Sequence, residues 1–170
     1  MRIKVVRVPL TNDRLLALGI VRADHADACE CYYEPAASLD ARRLTPIFVG
    51  WRPAWFRTLL VIRNFLVKPL GLRAGSSAHV RLPDEASQGG RLAFFRVLEA
   101  SPSRVVLRAE DVHLDSELVI DTGGCRLLVV TAVRYRNRFG RFYMACVMPF
   151  HLFVVRRFAA HAVRCLLREG

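Results

Sequence analysis

The chain has 170 residues, 53% of them hydrophobic and 24% charged, with a formal net charge of +11. That length fits one domain, residues 1–170, able to bury a core of its own, and the composition excludes a disordered or low-complexity protein. No unbroken run of about 18 apolar residues occurs, so a transmembrane helix is not expected.

Charge and cysteine content narrow the function classes. Lys4 and Lys68 are the only lysines, and the arginines are spread along the chain. That pattern reads as a diffusely basic surface, and no specific nucleic-acid partner is expected. Weak contact with an anionic membrane surface stays open, through Arg134, Arg136, Arg138, Arg156 and Arg157. Cysteines stand at 29, 31, 125, 146 and 165, an odd count with no C-x-x-C pair. Neither a zinc ribbon nor a redox motif is present, and no metal or cofactor is expected. Residues 15–21 are too short an apolar stretch for a secretory signal, so a cytoplasmic location is expected.

Residues 1–23 read as an extension of uncertain structure in which Ile3, Val5 and Arg7 alternate weakly. Residues 27–33 alternate better and predict a strand carrying Cys29 and Cys31 on one face as buried, small apolar groups. A short helix follows from Ser38 to about Gly50, with a break expected near Pro46. Pro53 opens a second helix to about Val67, apolar around much of its circumference and so expected to be largely buried. Strands are expected at 78–82, 92–99, 104–110, 113–120 and 126–138, with Thr122-Gly123-Gly124 as a hairpin turn. Residues 141–148 read as extended or helical. A terminal helix begins around Pro149, with Phe150, Phe153, Val154, Phe158, Ala162 and Leu166 on its apolar face.

An ordered series of short motifs accompanies this pattern. Asp24, Asp27-Ala28, Leu60, Arg63-Asn64 and Gly71 precede a run from Glu110 to Asp115 that contains His113. Thr131, Asn137, Gly140-Arg141, Tyr143 and Pro149-Phe150-His151 follow. The series, over residues 24–165, resembles the bacterial family labelled domain of unknown function 2867. The chain departs from that family's pattern at Cys29, where an aromatic is usual. It departs again at Ser116 and Glu117, where an aromatic and a basic residue are usual. The resemblance implies the helix-grip superfamily of START-type lipid-binding and pollen-allergen-like domains. The implied fold is α+β, a curved antiparallel sheet around a long C-terminal helix, with two helices inserted after the first strand. Relatives fused behind reductase domains imply work on small molecules.

Such a fold predicts a pocket between sheet and terminal helix for a small hydrophobic or amphipathic molecule. Val129, Thr131, Val133, Tyr135 and Asn137 would form its wall, Phe153 and Phe158 its roof, with Tyr143 nearby. Arg63 would face an acidic ligand group or pair with a carboxylate. Asp111, His113 and Asp115 are spaced i, i+2, i+4, which on a strand gives one face. Together with His151 they are candidates for acid–base chemistry in the same pocket. The plainer alternative for that row is a polar face paired with Arg134 or Arg136. No nucleophile triad or phosphate loop is legible, so whether the chain is an enzyme stays open.

Overall fold

Residues 126–135 read Arg-Leu-Leu-Val-Val-Thr-Ala-Val-Arg-Tyr, and a strand of that composition needs cover on both faces. The computed structural model describes residues 3–34, 38–67, 82–124 and 126–169, and it puts this segment inside the sheet. The elements are β1 (Ile3–Val8), α1 (Asn12–Ala17), β2 (His25–Tyr33), α2 (Ala41–Gly50) and α3 (Ala54–Val67). Then follow β3 (Arg91–Leu92), β4 (Phe95–Ala100), β5 (Arg104–Glu110), β6 (Leu114–Asp121), β7 (Arg126–Tyr135) and α4 (Arg138–Glu169). The strands form one antiparallel, curved sheet in the order β1-β2-β7-β6-β5-β4-β3. The fold is α+β, with the sheet closing on a long C-terminal helix.

The two faces of β7 have different covers. Leu127 and Val129 point inward with Cys29, Cys31, Leu118 and Ile120, and meet Leu44 and Phe48 of α2 and Val155, Phe158 and Ala162 of α4. Leu128, Val130 and Ala132 point outward with Ala28 and Val119, beneath Leu15, Leu18 and Ile20 at α1. Full burial of each Val, Leu, Ile or Phe side chain among them contributes on the order of 1.5–3 kcal/mol. Glu30 fastens α1 to the outer face, accepting from Arg14 and Arg126 at 2.9 Å each and from the Tyr32 hydroxyl at 2.5 Å. Burial pushes its carboxyl up, but Tyr32, Arg126 and Arg14 outweigh that and hold it below the usual carboxylate range.

Several expectations are corrected. Residues 3–8 are not outside the expected fold. They form β1, the sheet edge paired with β2, so the two inserted helices follow the second strand. Pro46 does not break α2. The Arg42 carbonyl, which a proline at 46 leaves without its helical donor, accepts from the Ala86 amide at 2.9 Å instead. α3 is not largely buried. α2 holds the sheet, so α3 packs on α4 through Trp55 and Phe56 and leaves Val61 67% and Ile62 49% exposed. The strand expected at 92–99 is divided by a turn at Ala93, where φ is +54°. Residues 78–81 of the expected strand 78–82 lie outside the described residues, and Leu82 is in no strand. The strand expected to reach Arg138 stops at Tyr135, and one helix runs from Arg138 through Pro149 to Glu169. Pro149 removes one helical hydrogen bond, but Ala145, whose carbonyl loses it, is exposed to water.

Asn137 caps α4, its side-chain oxygen accepting from the Gly140 amide at 3.0 Å. A methyl group at Gly140 would overlap the His113 carbonyl oxygen, which also accepts from the Arg136 amide. Gly140→Ala is therefore expected to destabilise the chain by about 1–3 kcal/mol, read as a lower midpoint in urea. An unchanged midpoint would show that the start of α4 is not seated on residues 113–114.

Candidate functional site

Alternate residues of β2, starting at His25, face α4: His25, Asp27, Cys29 and Cys31. Asp27 is only 3% exposed. Its Oδ2 lies 3.6 Å from Nε2 of His25 and 3.4 Å from Nε2 of His151, which comes down from α4. Thr131 is the cross-strand partner of Asp27 on β7 and completes the group.

This cluster is not hydrogen-bonded within itself. Both Asp27 oxygens, the two Nε2 atoms and Thr131 Oγ1 are buried with no hydrogen-bond partner from the protein. Each such group costs about 1–3 kcal/mol, and native folds rarely keep several together without a reason. Burial pushes the His151 imidazole below its ordinary value; Asp27 pulls it back in part, and His25 depresses it further. The ring is therefore neutral near pH 7, and its approach to Asp27 is not a charged pair. A carboxylate only accepts, whereas a neutral imidazole donates through one nitrogen and accepts through the other. The cluster can thus receive a donor-bearing polar group or pass a proton. The side chains of His25 and His151 remain 27% and 21% exposed, so the rings reach the surface while their Nε2 atoms and the Asp27 oxygens are buried. Among the described residues no set of three His, Cys, Asp or Glu could hold a metal ion. Cys29 is not a reactive thiol, because burial, and then Asp27, push it up to about 12.

Residues 20–158 match the family described as Protein of unknown function (DUF2867). The chain belongs to that family. No curated protein matches it, and no solved structure does. All four residues of the cluster lie inside the matched region.

The DUF2867 chain distributes the other candidate residues differently from expectation. Asp111, His113 and Asp115 do not form one row, because the strand begins only at Leu114 and residues 111–114 turn. Asp111 accepts from the Val112 amide at 2.6 Å within that turn. His113 Nδ1 lies 3.0 Å from Asn137 Nδ2, at the cap of α4. Asp115 faces outward, 2.7 Å from Arg136 and 3.6 Å from Arg134, in a charged cleft of about 220 Å³. Of these three and His151, only His151 reaches the cluster.

Among the expected pocket residues, Val129, Thr131 and Val133 are buried under the helical layer. Tyr135 is half-buried at the end of β7, with the Arg141 guanidinium 5.9 Å from its ring. Asn137 is not on the wall, since it caps α4. Tyr143 is half-buried in the second turn of α4. Phe158 is on the sheet side of α4, set edge-on to Phe48, Trp51 and Phe56. Phe153 is not; it points away from the sheet and is 47% exposed. The side chain of Arg63 lies outside the described residues. His25 and Asp27 were both missed as site residues, although their spacing of two puts them on one strand face.

Ring-proton NMR should show His151 titrating below the ordinary value of about 6.5, and lower still in Asp27→Asn, which removes the favourable charge. The unfolded imidazole takes its proton at the ordinary value and the folded one only at lower pH. His151 therefore contributes stability above about pH 6.5 that is lost as pH falls below it. A ring titrating at or above the ordinary value would refute this account.

Proposed function

We propose that this chain binds a small amphipathic molecule between the sheet and α4, its polar end on Asp27, His25, His151 and Thr131. The observation that carries this reading is the buried Asp27 carboxylate with neither oxygen hydrogen-bonded. A fold selected only for stability would give that carboxylate a donor or replace it with an apolar residue. A ligand hydroxyl, amide or ammonium group would supply the missing donors, and the apolar Val129, Val133 and Tyr135 stand beside it. The strand and helix order fits the helix-grip superfamily, whose members hold small molecules in this layer. Placement of this chain in that superfamily is part of the proposal.

Acid–base chemistry at the same place is the second reading, favoured by a neutral imidazole 3.4 Å from a carboxylate. In it His151 would exchange a proton with the ligand and Asp27 would hold the ring. Of the candidates for that role, Asp111, His113 and Asp115 are committed to the turn, the cap and the arginine cleft.

Native mass spectrometry of freshly purified chain is expected to show a co-purifying small molecule that is absent from Asp27→Asn. The same substitution is expected to leave the unfolding midpoint unchanged or raise it, by up to about 1–2 kcal/mol. Retention of the adduct would exclude Asp27 from the site. A strongly lowered midpoint would show that the carboxylate serves the fold.

A further inference from the structure

α4 has two opposite faces. Met144, His151, Val155, Phe158 and Ala162 turn towards the sheet. Phe139, Phe142, Phe150 and Phe153 fall within about 80° of one another on the helical wheel, on the far side. They are 50%, 57%, 53% and 47% exposed. α3 packs on α4 through Trp55 and Phe153, and itself leaves Val61 and Ile62 exposed. Large apolar side chains gathered on one exposed face mark a contact surface.

The charge carried by the three helices of this layer is of one sign up to Glu169. No Asp or Glu stands between residues 41 and 83 or between 122 and 168. These spans contain all of α2 and α3, and α4 up to its penultimate residue. Seventeen of the 26 basic residues lie in the same two spans. Arg157 and Arg164 are exposed on the same side of α4 as these rings, and the Arg157 guanidinium lies 5.3 Å from the Phe153 ring centre. Aromatic side chains beside arginines, on helices that carry almost no carboxylate, complement a surface that is apolar below and anionic above. α4 is long and apolar enough to cross a membrane by length and composition. Met144, Val155, Phe158, Ala159, Ala162, Val163 and Leu166 are buried against the rest of the fold, however, so α4 meets lipid with its phenylalanine face.

We infer that the outer face of α4 docks on an anionic lipid surface. The phenylalanines enter the boundary between headgroups and acyl chains, and the arginines meet lipid phosphates. The inference uses none of the Asp27 cluster and does not rest on the proposed ligand.

The test is co-sedimentation of the full chain with phosphatidylcholine vesicles, with and without phosphatidylglycerol, at low and high salt. Binding is expected only to the anionic vesicles and is expected to weaken with salt. Arg157→Glu/Arg164→Glu and Phe150→Ser/Phe153→Ser are each expected to weaken it roughly tenfold or more, with the unfolding midpoint held. Should the loss of the Phe153–Trp55 contact unfold the second variant, Phe142→Ser alone is expected to show the same direction. Equal binding to neutral vesicles, or no binding, would overturn the inference. Binding that ignores the phenylalanines and is displaced by duplex DNA would overturn it in favour of a polyanion site. A lipid-free dimer that dissociates in Phe→Ser would overturn it in favour of a second copy of the chain.

Discussion

β7 must be covered on both faces, and most of the architecture follows from how that is achieved. Inward residues need α2 and α4, and outward residues need α1. A strand's faces alternate residue by residue, so a one-residue slip would exchange Leu127 and Val129 for Leu128 and Val130 and reverse every neighbour. The register with β2 is thereby fixed, and it sets Asp27 opposite Thr131 and His25 opposite Val133. α4 lies on the inward face because Val155, Phe158 and Ala162 need that apolar floor. Once it lies there, His151, one helical turn before Val155, has to come down on Asp27. The polar cluster is thus built by packing that involves none of its own members.

Two carboxylates three residues apart on β2 show what this costs. Glu30 points outward and meets Arg14, Arg126 and the Tyr32 hydroxyl, which hold its charge and tie α1 down. Asp27 points inward and meets two imidazoles at 3.4 and 3.6 Å, without a hydrogen bond to either. The same strand therefore satisfies one acidic group completely and leaves the other bare. Removing an unpaired buried group is among the easier ways to stabilise a protein. Its retention inside the helical layer argues for a role apart from folding.

The sheet was legible because strand periodicity is local. Val105, Leu107 and Ala109 on β5 and the hairpin at Thr122–Gly124 needed no knowledge of the rest of the chain. Helical extent was less legible, because both prolines that looked like boundaries sit inside helices. For Pro46 the remedy is a distant amide, that of Ala86; for Pro149 it is solvent. Neither can be read from neighbours in sequence. The phase of α4 was misread for a related reason. Phe150 and Phe153 are larger than Val155 and Ala159 and suggest the core side, but the buried face is the one continued by Ala162 and Val163. Asp111, His113 and Asp115 looked like a site because i, i+2 spacing assumes a strand that here begins one residue after His113. The actual cluster combines β2, β7 and α4, and only register brings those segments together. The arginines do look scattered; the carboxylates do not, and their absence from residues 41–83 and 122–168 was a visible signal that counting net charge conceals.

Pro149, Phe150 and His151 bring the two proposals to one point of the helix. His151 faces inward to Asp27, Phe150 faces outward, and Pro149 removes a hydrogen bond from the turn before them. A helix lacking that bond is held there less by its own backbone and more by what lies on its two faces. Inward, the contact is polar and unsatisfied; outward, it is an exposed ring. The weakest backbone in α4 therefore coincides with the least satisfied side chains beneath it. A lipid surface engaging Phe150 would act on the same turn that covers Asp27.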